Sequence, residues 1–123
     1  MSLLTSLISY WKLDEASGNA LDVHGSNDLT ENGTGGIGSA AGKINTCRDF
    51  ESVDSDFFSH ADNTDLSTGD IDFTLAFWAN LESEPTSPYA IGKGSATNGE
   101  YGVTPQADRW YFIVWASSGF GGQ

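Results

Sequence analysis

The amino-acid sequence predicts an all-β fold, an antiparallel β-sandwich, on three observations. No segment sustains the 3.6-residue apolar period of a helix. Fifteen glycines, with frequent Asn, Asp and Ser, cut the chain into short segments. Between these breaks lie runs rich in aromatic and β-branched residues, the composition of a pleated, half-buried surface.

In chain order the strand-like runs are Leu7 to Leu13, Leu29 to Glu31, Ile44 to Glu51, Phe57 to His60, Ile71 to Leu81, Tyr89 to Gly92, Glu100 to Val103 and Trp110 to Trp115. The strongest is Ile71 to Leu81. Its odd positions are Ile, Phe, Leu, Phe, Ala and Leu and its even ones Asp, Thr, Ala, Trp and Asn, so one face is apolar and the other mixed. The loop from Glu82 to Ser87, with Pro85 and then Pro88, ends it, because proline cannot donate to a ladder. Gly33 to Gly42, made largely of Gly, Ser and Ala, reads as a flexible surface crossing. Asp108 to Ala116 reads as a good strand followed only by the turn-like Ser118 to Gln123, with no later strand to pair it. The expected sandwich is therefore incomplete in this chain, with a neighbouring molecule as one way of completing the sheet.

A length of 123 residues suits one domain spanning 1–123. Hydrophobic residues at 38% and aromatics at 12% suffice for a core, which excludes a disordered tail. Seventeen Asp and Glu face five Lys and Arg, a net charge of −12, and no basic stripe offsets it. Such a surface repels a polyanion, so nucleic acid is not the expected partner. No apolar run approaches a membrane span, and the N-terminus lacks the basic leader and apolar stretch of a signal peptide. The acidity suits an exported, extracellular or virion-surface protein, a salty habitat, or divalent cations held by carboxylates, and does not choose among them. Cys47 is the only cysteine, so stability is expected from packing rather than from an intrachain disulfide.

Five segments resemble, in order, laminin G-like modules of the concanavalin A-like jelly-roll class. Ser9 to Asp22, with Trp11-Lys12-Leu13-Asp14-Glu15 running into Gly18-Asn19, is similar to their opening strand and turn. Asp22 to Leu29 resembles the next loop, Gly42-Lys43-Ile44 with Asp49-Phe50-Glu51 the next strand, and Phe57 to Asn63 and Phe73 to Trp78 the two that follow. The resemblance implies two antiparallel sheets, carbohydrate or protein ligands and, in many members, calcium. It also implies further strands beyond the point where this chain stops.

Read from the residues themselves, Trp11, Phe50 and Trp78 sit within strand-like runs and are expected in the core. Asp14 and Glu15 are expected to hydrogen-bond turn amides. A glycosidase needs two carboxylates about 5 to 9 Å apart, which jelly-roll glucanases carry on one strand as Glu-x-Asp-x-x-Glu. Glu51 to Asp56 has the wrong spacing. No Gly-x-Ser-x-Gly, P-loop or His-Glu-x-x-His occurs, and Cys47 has no partner in sequence among His24 and His60. The expectation is that the chain is not an enzyme.

Calcium is the one metal the residue types suggest. Asp22, Asn27 and Asp28 supply hard oxygen ligands in one Gly-containing loop, and Asp62, Asn63 and Asp65 in another, although Asx-rich turns also form without metal. A sugar site needs an aromatic platform beside planar polar groups; Tyr89, Tyr101, Trp110, Tyr111 and Trp115 are the candidates, Trp110 with Asp108 and Arg109 being the most suggestive group, although both faces of Trp110 to Trp115 are apolar and burial accounts for most of these rings. The expected function is a non-catalytic module that binds a glycan or surface polymer. The alternative is a decoration element of a virion or surface layer, a homo-oligomer or mixed assembly joined through sheet edges.

Overall fold

A computed structural model of the chain describes residues 5–69, 71–83, 89–94 and 99–115. The described residues are all-β, with seven strands in small antiparallel sheets and two one-turn 3-10 helices. They fall into two compact units, Met1–Ala61 and Asp62–Gln123.

In the first unit, β1 (Thr30–Asn32) pairs with β4 (Phe57–Ser59), and β2 (Gly38–Ala41) with β3 (Thr46–Asp49). Among the described residues, the Leu7 to Leu13 run forms no ladder beyond one bridge, Trp11 to Asp22. Gly38–Ala41 corrects the expectation of a flexible crossing. Apolar content is low there, but the four residues are held in register by β3 across a tight turn, closed by Gly42 N donating to Asn45 O at 2.9 Å with Asn45 at a φ of 57°. Among the described residues, the buried apolar side chains of this unit are Ala20 and Ile37. Two polar side chains, Asn27 and Arg48, are also buried. Phe50, expected inside, is half-exposed and meets Phe58 edge-on at 5.6 Å. Gly33 is required where it stands: its φ is 128°, and a Cβ there would run into the Asp56 carboxylate.

The second unit is built on β5 (Ile91–Lys93), β6 (Tyr101–Gln106) and β7 (Arg109–Val114), in that spatial order. A two-residue turn joins β6 to β7. Ala107 and Asp108 both have positive φ, 48° and 62°, as the turn that matches strand twist requires. The Trp110 to Trp115 run therefore has a mate, which precedes it in the chain. Pro105 and Trp110 form a non-hydrogen-bonded pair, so the Pro105 nitrogen turns away from β7, toward the side where the pairing with β5 has ended at Val103, and its missing N–H interrupts neither ladder.

The largest departure is Ile71 to Leu81, the run with the cleanest alternation. Among the described residues it belongs to no ladder. Its odd positions nevertheless lie on one face of the hairpin: Phe73 contacts Tyr101 and Phe112 at 5.2 and 5.7 Å, and Phe77 meets Trp110 edge-on at 5.9 Å. Period-two alternation reports an extended chain with one apolar side, and such a chain can lie on a sheet without hydrogen-bonding into it. The prolines of the expected loop fall in 84–88, and the stretch Ser118 to Gln123 falls in 116–123; both lie outside the described residues.

Candidate functional site

The hairpin face and residues 75–79 enclose an open cleft of about 430 Å³, lined by Leu75, Phe77, Trp78, Ala79, Val103, Trp110 and Phe112. Strand alternation places it: Val103 pairs with Phe112, and Pro105 with Trp110, so these side chains share one face. Trp110 is 48% exposed and Trp78 is 74% exposed. Trp78, expected in the core, lines the cleft instead. It is the one aromatic at an even position of its run, the feature by which the sequence could have singled it out.

Of the aromatic platform candidates, the structure brings Trp110 into the cleft and leaves Asp108 and Arg109 exposed at the adjoining turn. Tyr101 is elsewhere. It is only 7% exposed, its hydroxyl donates to Leu66 O at 3.0 Å, and its ring lies against Phe73, so it is packed rather than presented to a ligand. Burial pushes its phenol pKa up. Tyr89 lies at the opposite face of the sheet, edge-on to Trp115 at 5.8 Å and over Gly102, where a Cβ would come within 3.0 Å of its ring.

The carboxylate clusters proposed for calcium hold loops together. Asp22 Oδ1 accepts from the amides of Tyr10, His24 and Gly25, at 3.0, 3.0 and 2.8 Å, and Oδ2 from Asn27 at 3.1 Å. Partial burial alone would raise its pKa; the four amides outweigh this and hold it well below the ordinary carboxylate range. Asp28 accepts from Asp22 N at 2.8 Å, the Asn27 side chain donates to Ser9 Oγ at 2.7 Å, and the Asn27 backbone carbonyl accepts the Trp11 indole N–H at 2.7 Å. Asn63 caps the 3-10 turn Thr64–Leu66, accepting from Asp65 N and Leu66 N. Asp62 accepts from Lys93 Nζ at 2.6 Å, as does Glu100. Among the described residues no three His, Cys, Asp or Glu side chains converge to hold a metal ion. Glu15, expected to serve a turn, accepts from Leu21 N at 2.9 Å.

Sequence reasoning missed Arg48. Its guanidinium, fully buried, pairs with Glu31, donates to Ile37 O at 2.8 Å and Glu15 O at 3.4 Å, and lies 5.2 Å from the Phe58 ring centre. Comparison with known protein families, with curated proteins and with solved structures returns no match.

Proposed function

We propose that the chain is a non-catalytic, laminin G-like binding module of the jelly-roll sandwich class, and that its aromatic cleft receives the apolar face of a sugar ring in a neutral glycan or surface polymer. The observation that carries this is the pair of exposed indoles, Trp78 and Trp110, lining one cleft. Leaving large aromatic rings in water forgoes about 25 cal/mol per Å² of apolar area, which a stacked sugar would recover. Asp108 and Arg109, exposed at the adjoining turn, offer planar hydrogen-bonding groups for hydroxyls. A net charge of −12 disfavours anionic polymers and so points to an uncharged ligand. The same acidity fits an extracellular or virion-surface setting.

Tryptophan fluorescence titrated with a panel of neutral and anionic glycans tests this reading. A neutral glycan should quench it saturably, and Trp110→Ala, with an unchanged circular dichroism spectrum, should weaken binding at least ten-fold, about 1.4 kcal/mol. No response across the panel, or binding indifferent to Trp110→Ala, would sink it.

A further inference from the structure

The edge of β7 away from β6, which no other described strand pairs, carries an inference independent of sugar binding. In an antiparallel ladder, alternate residues turn their N–H and C=O toward the partner strand and the others turn theirs away. Trp115 N donates to Glu100 O at 2.9 Å, and the register runs Gly102 to Ile113, Thr104 to Tyr111 and Gln106 to Arg109. Arg109, Tyr111 and Ile113 therefore bond to β6, while Trp110, Phe112 and Val114 present their backbone groups outward.

Edges are normally blunted by shortness, proline, bulges or charge. The other edge strands described are three or four residues long. Across the same sheet, β5 is three residues long and carries Lys93, ion-paired with Asp62 and Glu100. Six-residue β7 has no proline and no acidic residue, and its single charge, Arg109, stands at the turn end. Phe112 and Val114 are each 56% exposed.

We propose that this edge pairs with the same edge of a second copy of the chain, antiparallel about a two-fold axis through Phe112. Only registers that match outward-facing residues with each other satisfy both strands, and the one centred on Phe112 uses all three. Trp110 then faces Val114 of the second copy, and Tyr111 faces Ile113, the aromatic–β-branched pairs that stabilise sheets. Charge favours this strand over the rest of the surface. In a chain of net charge −12, β7 is free of acid, and the two Arg109 side chains stand six residues apart along the strand, about 20 Å at ~3.3 Å per residue, beyond the ~8–10 Å screening length.

Amide hydrogen exchange by NMR, run over a concentration series alongside analytical ultracentrifugation, tests it. In dilute solution the amides of Tyr111 and Ile113 should be protected and those of Trp110, Phe112 and Val114 should exchange fast; as dimer forms, the fast set should become protected. Phe112→Pro removes an outward N–H without touching the β6 ladder and should leave the chain monomeric. Val114→Lys, which keeps the Phe112 ring, should do the same while Tyr111 remains protected. A monomer at every concentration overturns the proposal. So does a dimer in which the Trp110, Phe112 and Val114 amides still exchange fast, or one that survives Val114→Lys.

Discussion

The two units are held by different forces. In Met1–Ala61 the ladders are short, and order comes from polar side chains turned inward: Arg48 ties Glu31, Ile37 O and Glu15 O together, and Asp22 gathers four amides of its own loop and of the preceding segment. In Asp62–Gln123 a six-residue hairpin register does that work, with Phe73 and Phe77 laid on its face. Buried polar hubs are brittle, because removing one member strands its partners without solvent. A hairpin with apolar contacts loses stability in smaller steps. The largest effect should therefore come from the first unit. Arg48→Met should cost about 3–5 kcal/mol, since it leaves the Glu31 carboxylate and Ile37 O without their donor. Urea unfolding read by circular dichroism measures it, and a loss below ~1 kcal/mol would mean that the hub is dispensable.

Asp22→Ala should come next, at about 2–3 kcal/mol, through loss of a charged acceptor shared by four amides. The same carboxylate gives a pH signature. Its folded pKa lies below its unfolded value near 3.9, so its contribution is complete above that value and is lost as pH falls through the folded one. Acid unfolding of the wild type should continue steepening well below pH 4, and Asp22→Asn should flatten that limb.

The polar hubs also mark the limit of what the sequence could show. Asp22, Asn27 and Asp28 were recognisable as an oxygen-rich loop, but a hard-ligand cluster and an amide-gathering turn use the same residue types in the same spacing, and the amides of Tyr10, His24 and Gly25 that Asp22 gathers could not be read from them. Arg48 gave no sign, because its partners lie 11 to 33 positions away in the chain. In the second unit, aromatic and β-branched composition located β7 and the first half of β6, and alternation located the apolar side of Ile71 to Leu81 that Phe73, Leu75 and Phe77 occupy. It could not say that this run would join no ladder among the described residues, because side-chain period is blind to hydrogen-bond partners. Gly38–Ala41 was missed for the converse reason, that its strand is imposed by β3 rather than by its own composition. For the candidate site, Trp110 was legible as an aromatic beside charge, whereas the burial of Tyr101 depended on Leu66 and Phe73, distant in sequence.

Lys93 offers the matching experiment in the second unit. Its ammonium bridges Asp62 and Glu100, both at 2.6 Å, with Ser67 Oγ donating to Glu100 at 3.1 Å. Desolvation opposes the charge on Lys93, but the two carboxylates outweigh it and raise its pKa, while hydrogen bonding to Lys93 lowers that of Asp62 and of Glu100. The carboxylate contributions are present above pH ~4 and fade below it; that of Lys93 is present below pH ~10.4 and is lost as pH rises through the folded value. Asp62 is open to solvent, so screening keeps the whole bridge modest. Lys93→Met should cost about 1 kcal/mol, several-fold less than Arg48→Met. A loss equal to that of Arg48→Met would erase the distinction between the units.

The smallest effect should be a gain, and it should fall on the hairpin alone. Ala107 and Asp108 occupy left-handed backbone at φ 48° and 62°, where Asn and Gly are favoured and a Cβ is disfavoured. Ala107→Asn with Asp108→Gly should therefore stabilise the second unit by about 0.5–1 kcal/mol and slow amide exchange at Tyr111 and Ile113, leaving exchange around Arg48 unchanged. The opposite outcome is informative too. If the double substitution destabilised the hairpin, the Ala107-Asp108 turn would be held by contacts that outweigh its backbone cost, and the turn beside Trp110 would owe its shape to side chains rather than to strand twist.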